Sequence, residues 1–388
     1  MARAPLRTRR RQQIILIASL ITLLYTVWTI TAHELHKDHH IPDNLLHHTP
    51  TFEAGDHVLL SPQEAQAACR ASNFAAYRDH KKGRRKVYDL VLMSTELDWL
   101  EIRLQTLSPY VDYFVIVEAP TTFTSQSKPL YLKENWSRFS QFHHKIIHRI
   151  VHDPIVSDRI WDHEDWFRDS MLYEVFPGLI GTTQEAQIGD VLLVSDMDEI
   201  VRPGAMLILR YCHIPARLIM RTDMFYYSFQ WRHHGPQWTH PDATLYKGVK
   251  KTLSPNALRQ GLLDDGWLLF AAFRRWWDRA TLWNAGWHCS SCFATIAEMR
   301  TKMHSFSHQS WNTAANRELS TMVDRVRHGL DLFDRDGQTY DRIDNNTDIP
   351  TYILEEYARN RRFRYMLDRD GLDAGFEDWQ SSAAPAKR

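Results

Sequence analysis

The chain has 388 residues, 44% hydrophobic and 12% aromatic, and its 47 Lys and Arg balance 47 Asp and Glu. That length suits one large domain or two small ones and buries a core, while the zero formal charge argues against a general polyanion binder, so no nucleic-acid partner is expected. With 15 Gly and 16 Pro, a collagen-like or mostly disordered chain is excluded, and four Cys are too few for a disulfide scaffold.

The charge is uneven along the chain. Arg3, Arg7, Arg9, Arg10 and Arg11 precede the uncharged run Ile14 to Ile30, IILIASLITLLYTVWTI, and no acid falls within residues 1–32. Extended to Ala32, the run is long enough for a bilayer core, which needs roughly 17–25 residues. Arg before the segment puts the N-terminus in the cytosol by the positive-inside rule. A cleaved signal peptide would need small residues where Tyr25, Val27, Trp28 and Ile30 stand. The expectation is a cytosolic tail over 1–13, a signal anchor over 14–32 and everything beyond it lumenal.

Residues 33–87 are His-rich and carry Pro42, Pro50 and Pro62, with a helical patch from Pro62 to Tyr77. They read as a stem that holds a domain, residues 88–388, off the membrane. The sequons at Asn135 and Asn345 agree with a lumenal body.

From Tyr88 the texture becomes α/β. Apolar strands are expected at Leu90–Met93, Tyr113–Val117, Lys145–Val151 and Val191–Val194. Helices are expected at Asp98–Leu107, Trp161–Phe176 and Gly204–Tyr211. Continuous apolar strands alternating with helices indicate a parallel sheet buried on both faces. The aromatic-rich second half offers strands at Arg217–Met220 and Met224–Phe229 and a helix from Tyr352 to Leu367.

The sharpest chemical feature is VLLVSDMDEI, where a buried strand ends in Asp196 and Asp198. At the carboxyl edge of a parallel sheet, two carboxylates at this spacing can converge on a hard cation. An EF-hand loop counted from Asp196 would need Gly and Glu where Val201 and Leu207 stand. A haloacid-dehalogenase phosphatase would carry the motif on its first strand, with Thr or Val in place of Ile200. The motif here follows three earlier strands, as in metal-dependent nucleotide-sugar transferases.

Six segments taken in order, YDLVLMSTELDWLEIRLQTL (88–107), FVIVEAPTTFTSQSKPL (114–130), DVLLVSDMDEIVRP (190–203), FYYSFQW (225–231), AGWHCSSCF (285–293) and KMHSFSH (302–308), resemble glycosyltransferase family 17. The resemblance runs from Tyr88 to the C-terminus. It implies an α/β fold of GT-A type, Rossmann-like, with a UDP-GlcNAc donor, a divalent metal (Mn2+ or Mg2+) and inversion at the anomeric carbon. By analogy the acceptor is a glycan or glycoprotein, the β-mannose of an N-glycan core, and the location is the Golgi membrane. A transferase with another UDP-sugar or acceptor, and a non-catalytic carbohydrate-binding protein, are the alternatives.

In that frame Thr95, Glu96 and Glu118, at the ends of the first two strands, are expected to contact the nucleoside, although Ser94 or Thr95 can equally cap a helix. Asp196 would hold ribose or metal-bound water and Asp198 the metal. The resemblance adds His308 as a late metal ligand and Lys302 as a balance for the diphosphate. An inverting enzyme needs one base to take the acceptor proton. Glu298 is the first candidate, with Asp223, Asp265 and His288 behind it. Tyr226, Tyr227, Trp231 and Trp238 are candidates for stacking acceptor sugars, against a packing role. His144, His148 and His152 read as part of a buried strand. Cys289 and Cys292 lack the further ligands of a zinc site, and a disulfide among the four Cys is expected.

Overall fold

The computed structural model describes residues 6–35, 37–46, 57–77, 84–262 and 267–379. Its strands, in chain order, are β1 (Asp38–His40), β2 (Val87–Met93), β3 (Tyr113–Glu118), β4 (Ile146–Ile150), β5 (Val191–Ser195), β6 (Glu199–Val201), β7 (Arg217–Tyr226), β8 (Ser228–His233), β9 (Asp242–Leu245), β10 (Arg279–Ser290) and β11 (Tyr340–Arg342). They join in one sheet whose main path is β1-β10-β7-β9-β5-β2-β3-β4, with β6, β8 and β11 bonded beside it.

β5, β2, β3 and β4 are parallel, and their register puts Val91 beside Ser195 and Met93 beside Glu118. The alternation of side chains divides their apolar runs between two cores. Val87, Val91, Phe114, Ile116, Val191 and Leu193 enter one cluster with the helices Leu97–Leu107 and Pro203–Tyr211. Tyr88, Leu90, Val115, Val117, Leu192 and Val194 enter the other with Phe167, Met171 and Leu172 of the helix Ile160–Tyr173. Burial on both faces is the reason these strands are largely apolar, with Asp89 in β2 and His148 and Arg149 in β4 as the charged or polar exceptions inside them.

The second half differs from the simple continuation of that pattern. β7 runs unbroken to Tyr226, and β9 lies antiparallel to both β5 and β7, so the sheet is mixed. β10, for which no strand was expected, pairs in parallel with β7 over most of its length. The expected helix Tyr352–Leu367 stops at Asn360, because Arg361 and Phe363 take left-handed conformations (φ 63° and 57°) before a short 3-10 turn.

Within the segment expected to be a stem, the described residues 37–46 and 57–77 pack on the body. β1 pairs with β10, Asp38 beside Thr281 and His40 beside Trp283. Ile41, Leu45, Ala68 and Phe74 are buried in the first core. Cys69 and Cys212 form a disulfide that ties the helix Pro62–Ala71 to the end of Pro203–Tyr211. Ser61 and Glu64 close a reciprocal cap on the first of these. The few apolar side chains among the His and Pro residues are spaced closely enough to be buried, which a spacer does not require. Ahead of this lies the helix Leu6–Leu35, whose stretch Ile14–Glu34 is long and apolar enough to cross a membrane.

Candidate functional site

Three parallel strands deliver their last residues to one edge. Thr95 and Glu96 follow β2, Glu118 ends β3, and the turn Asp196–Met197–Asp198 follows β5. The chain then returns as β6, which pairs antiparallel with β10 so that Glu199 lies beside His288. That pairing needs a close backbone approach: a Cβ at Gly286 would run into the carbonyl oxygen of Ile200. Glycine is the residue that permits it.

The acidic turn is fastened from below by Arg103, which is fully buried on the helix Leu97–Leu107. Its guanidinium holds Asp89 of β2 in a bidentate pair, both contacts 2.6 Å. The remaining nitrogen donates to the carbonyls of Glu199 (2.9 Å) and Asp196 (3.2 Å). A buried arginine satisfied on every side fixes the backbone that carries the carboxylates.

Above the turn, the carboxylates fall into two groups. Lys302 Nζ donates to Glu96 Oε1 at 3.2 Å and to Asp198 Oδ2 at 3.3 Å. Burial opposes the charge on Lys302, but Asp198 and Glu96 hold its ammonium well above the ordinary lysine range. The other oxygen of Asp198 stands 3.7 Å from Nε2 of His288. In the second group Arg259 donates to Asp196 Oδ2 (2.8 Å) and to both oxygens of Glu199 (2.8 and 3.0 Å). Arg168 reaches Asp196 Oδ1 at 3.3 Å and Glu164 at 2.8 Å. Burial raises the carboxyls of Asp196 and Glu199, yet Arg259 outweighs it and both sit below the usual range, Glu199 far below.

Asp198 and His288 are the two donors at this edge that a divalent cation could take. Glu96, Glu164, Asp196, Asp198 and Glu199 are paired with Lys302, Arg168 and Arg259, so carboxylates outnumber the lysine and arginine cations in this group. Asp198 and His288 offer an oxygen and a nitrogen 3.7 Å apart, too far for a hydrogen bond between them. Nδ1 of His288 is buried with no hydrogen-bond partner among the described residues. The carboxylate suits Mg2+ or Mn2+ with water and phosphate as further ligands, while the imidazole is the donor favoured by softer divalent metals. Among the described residues, no three His, Cys, Asp or Glu side chains come together in a group that could hold a metal ion.

The other expected site residues are distributed as follows. His308 is not brought into that group: its ring stacks on Trp311 at 4.4 Å and meets Trp161 edge-on at 4.9 Å. Its neighbour Ser307 bonds Glu164, which places His308 at the far end of the Arg168 network. Asp196 carries two arginines on its carboxylate, and its side chain remains 43% exposed. Glu118 sits at the strand end as expected, but its carboxylate accepts from the amide of Leu132 (2.8 Å) and lies 3.0 Å from His148 Nε2. The amide of Thr95 donates to Glu96 Oε2 at 2.8 Å. Glu298 forms a reciprocal cap with Thr295 at the start of the helix Ile296–Ser305, one turn before Lys302, and burial pushes its carboxyl up. Asp223 accepts from Gln237 at 3.0 Å and lies 3.5 Å from Arg202. Asp265 lies outside the described residues.

Of the four aromatic candidates, Tyr226, Tyr227 and Trp231 are buried in a third core cluster with Met299, Met303 and Val326. Trp238 is at the site: its indole donates to Glu199 Oε1 at 2.8 Å and its ring is 5.0 Å from His288. Cys289 and Cys292 form a disulfide rather than a metal site, and the amide of Cys289 donates to the carbonyl of Asp198 at 3.2 Å. Arg103, Arg168, Glu199 and Arg259 were not anticipated. Glu199 alone had a signal, as the third acid of the motif.

The glycosyltransferase family 17 profile matches residues 9–369. The proteins named beta-1,4-mannosyl-glycoprotein 4-beta-N-acetylglucosaminyltransferase from Homo sapiens, Rattus norvegicus and Mus musculus are each 25% identical to this chain over 309 residues. The match takes in 73% of this chain and 55% of each relative, so the chain spans about half the length of the curated relatives it matches. A solved structure of GalNAc-T7 with UDP, GalNAc and Mn2+ aligns over 84% of this chain and 72% of its own, at 10% identity and a TM-score of 0.30. That is too distant for fold details or ligands to be carried across. The profile, which covers nearly the whole chain and takes in the acidic turn, Lys302 and His288, places this protein in glycosyltransferase family 17.

Proposed function

We propose that this chain is an inverting, metal-dependent N-acetylglucosaminyltransferase of GT-A type. It moves the sugar of UDP-GlcNAc onto a glycan, the β-mannose of an N-glycan core being the acceptor. Family membership and the names of the relatives support the transferred group. The observation that carries the mechanism is the buried carboxylate of Asp198 at the end of β5, flanked by Lys302 and His288.

Asp198 and His288 would hold the cation, which when bound neutralises charge on the departing UDP. The chain's own residues do the rest. Lys302 presents a partly exposed ammonium beside Asp198 and supplies a fixed positive charge for the diphosphate. Arg103, Arg168 and Arg259 are positioning residues that keep the acidic turn and Asp196 in place. Glu298 uses Oε2 for its helix cap and leaves Oε1 to accept the acceptor's hydroxyl proton. Trp238 sits beside His288 with a ring on which an acceptor sugar can stack.

The reading includes a type II Golgi enzyme, with residues 14–32 as the anchor and the body in the lumen. The apolar segment supports the anchor, and the pairing of all four cysteines supports an oxidising compartment. The test is UDP release by the purified full chain, offered a panel of UDP-sugars and N-glycans with Mn2+. Release with UDP-GlcNAc above all other donors supports the proposal, and release with a different donor alone contradicts it.

A further inference from the structure

The helix Leu268–Trp277, LLFAAFRRWW, presents its apolar residues outward. Trp267, Leu268, Leu269, Phe270, Phe273 and Trp277 are 45–66% exposed, while Ala271 is the residue it buries in the body. So many large apolar side chains in one exposed patch mark an interaction surface.

Its position indicates what covers it. The Trp277 ring stacks on His33 at 3.8 Å with the planes 5° apart, and Trp276 lies 5.1 Å from the same ring. Lys37 Nζ sits 4.2 Å over Trp276. His33 belongs to the last turn of the apolar helix, which ends at Leu35, and β1 begins at Asp38. No spacer therefore separates the spanning segment from the folded body, and the exposed helix is packed against the point where that segment leaves the bilayer. Its residues combine tryptophans, aliphatic side chains and the pair Arg274 and Arg275, the mixture that seats a helix at a headgroup boundary.

We propose that Leu268–Trp277 lies in the surface of the same membrane leaflet, as a second, monotopic contact that holds the catalytic body flat against lipid. The proposal rests on the reading of residues 14–32 as a membrane anchor. It implies that acceptors are met at the bilayer surface, which fits glycans carried by membrane-bound proteins.

The test uses the full chain reconstituted in phosphatidylcholine vesicles containing a fraction of lipid brominated near the headgroup, which quenches nearby tryptophan. The comparison is with Phe270→Glu/Phe273→Glu, whose sites are exposed, so the fold is retained and near-ultraviolet circular dichroism confirms it. The quenched fraction of emission is expected to fall at least twofold in the variant, with both proteins remaining in the membrane pellet after alkaline carbonate. Equal quenching overturns the proposal. Equal quenching with a dimer that the variant converts to monomer would assign the face to a second copy of the chain. If carbonate strips both proteins, the anchor reading fails by itself, and the quenching difference on vesicle-bound protein still decides the role of the helix.

Discussion

Lys302 Nζ lies 3.3 Å from Oδ2 of Asp198 and shares itself with Glu96 on the neighbouring strand end, so one ammonium ties β2, the acidic turn and the helix Ile296–Ser305 together. Asp198 is buried, not on an open loop, yet Asn can occupy its place and leaves Lys302 paired with Glu96. Asp198→Asn is predicted to lower kcat/KM by about 100- to 1,000-fold, the scale of a lost charge-stabilising contact. Stability should change by about 1 kcal/mol or less. Steady-state kinetics and thermal melts of the same preparation check both.

Arg103 and Asp89 form a pair with no exposure to solvent. Arg103→Met strands a buried carboxylate and is expected to cost about 3–5 kcal/mol. Adding Asp89→Leu removes the stranded charge and should restore most of that loss. Activity should stay low in the double variant, because the carbonyls of Asp196 and Glu199 have lost their Arg103 contacts. Urea melts and UDP release on the two variants separate the structural role from the positioning role. Recovery of activity along with stability would contradict the positioning role.

The base is tested by a pair of variants. Glutamine supports the same cap as glutamate, so Glu298→Gln should fold normally. It is predicted to lose about 100- to 10,000-fold in kcat, the usual contribution of a general base. Asp223→Asn should lose less than tenfold. Since burial raises the Glu298 carboxyl, wild-type activity should fall on the acid side at a pH above the ordinary glutamate range, and that limb should vanish in the variant.

What could be read from the sequence depended on how local the signal was. β2, β3 and β5 carry short apolar runs, broken in β2 by Asp89, and their ends brought Glu96, Asp196 and Asp198 to one edge. β10 was not legible, because its alternation breaks around Trp283 to Gly286, where its register with β7 shifts. Arg259 and Arg168 lie 63 and 28 positions from Asp196, and no spacing rule reaches that far. Glu118 ends β3, but its carboxylate is used locally, on the amide of Leu132, which a strand-end position alone does not reveal.

Glu101 couples stability to pH. Burial opposes its charge, but hydrogen bonds from Arg362, Tyr352 and Arg138 bring its pKa from 4.5 down to about 2. A folded-state value below the unfolded one gives stability that is present above about pH 4.5 and lost as pH falls toward 2. That contribution is on the order of 3 kcal/mol. Glu101→Gln should be less stable near pH 7 and should show a flatter melting temperature between pH 4.5 and 2. Parallel profiles for the two proteins would exclude this site as a source of acid sensitivity.

The central claim is inverting transfer of N-acetylglucosamine, and the anomeric proton of the product tests it most directly. The donor sugar is α-linked to UDP, so attack by an acceptor hydroxyl from the opposite face, with Glu298 taking its proton, must form a β-linkage. Proton NMR of an N-glycan acceptor after reaction with UDP-GlcNAc and the full chain should show a new anomeric doublet with a large, diaxial coupling. A small coupling, the mark of an α-linkage, would contradict the mechanism.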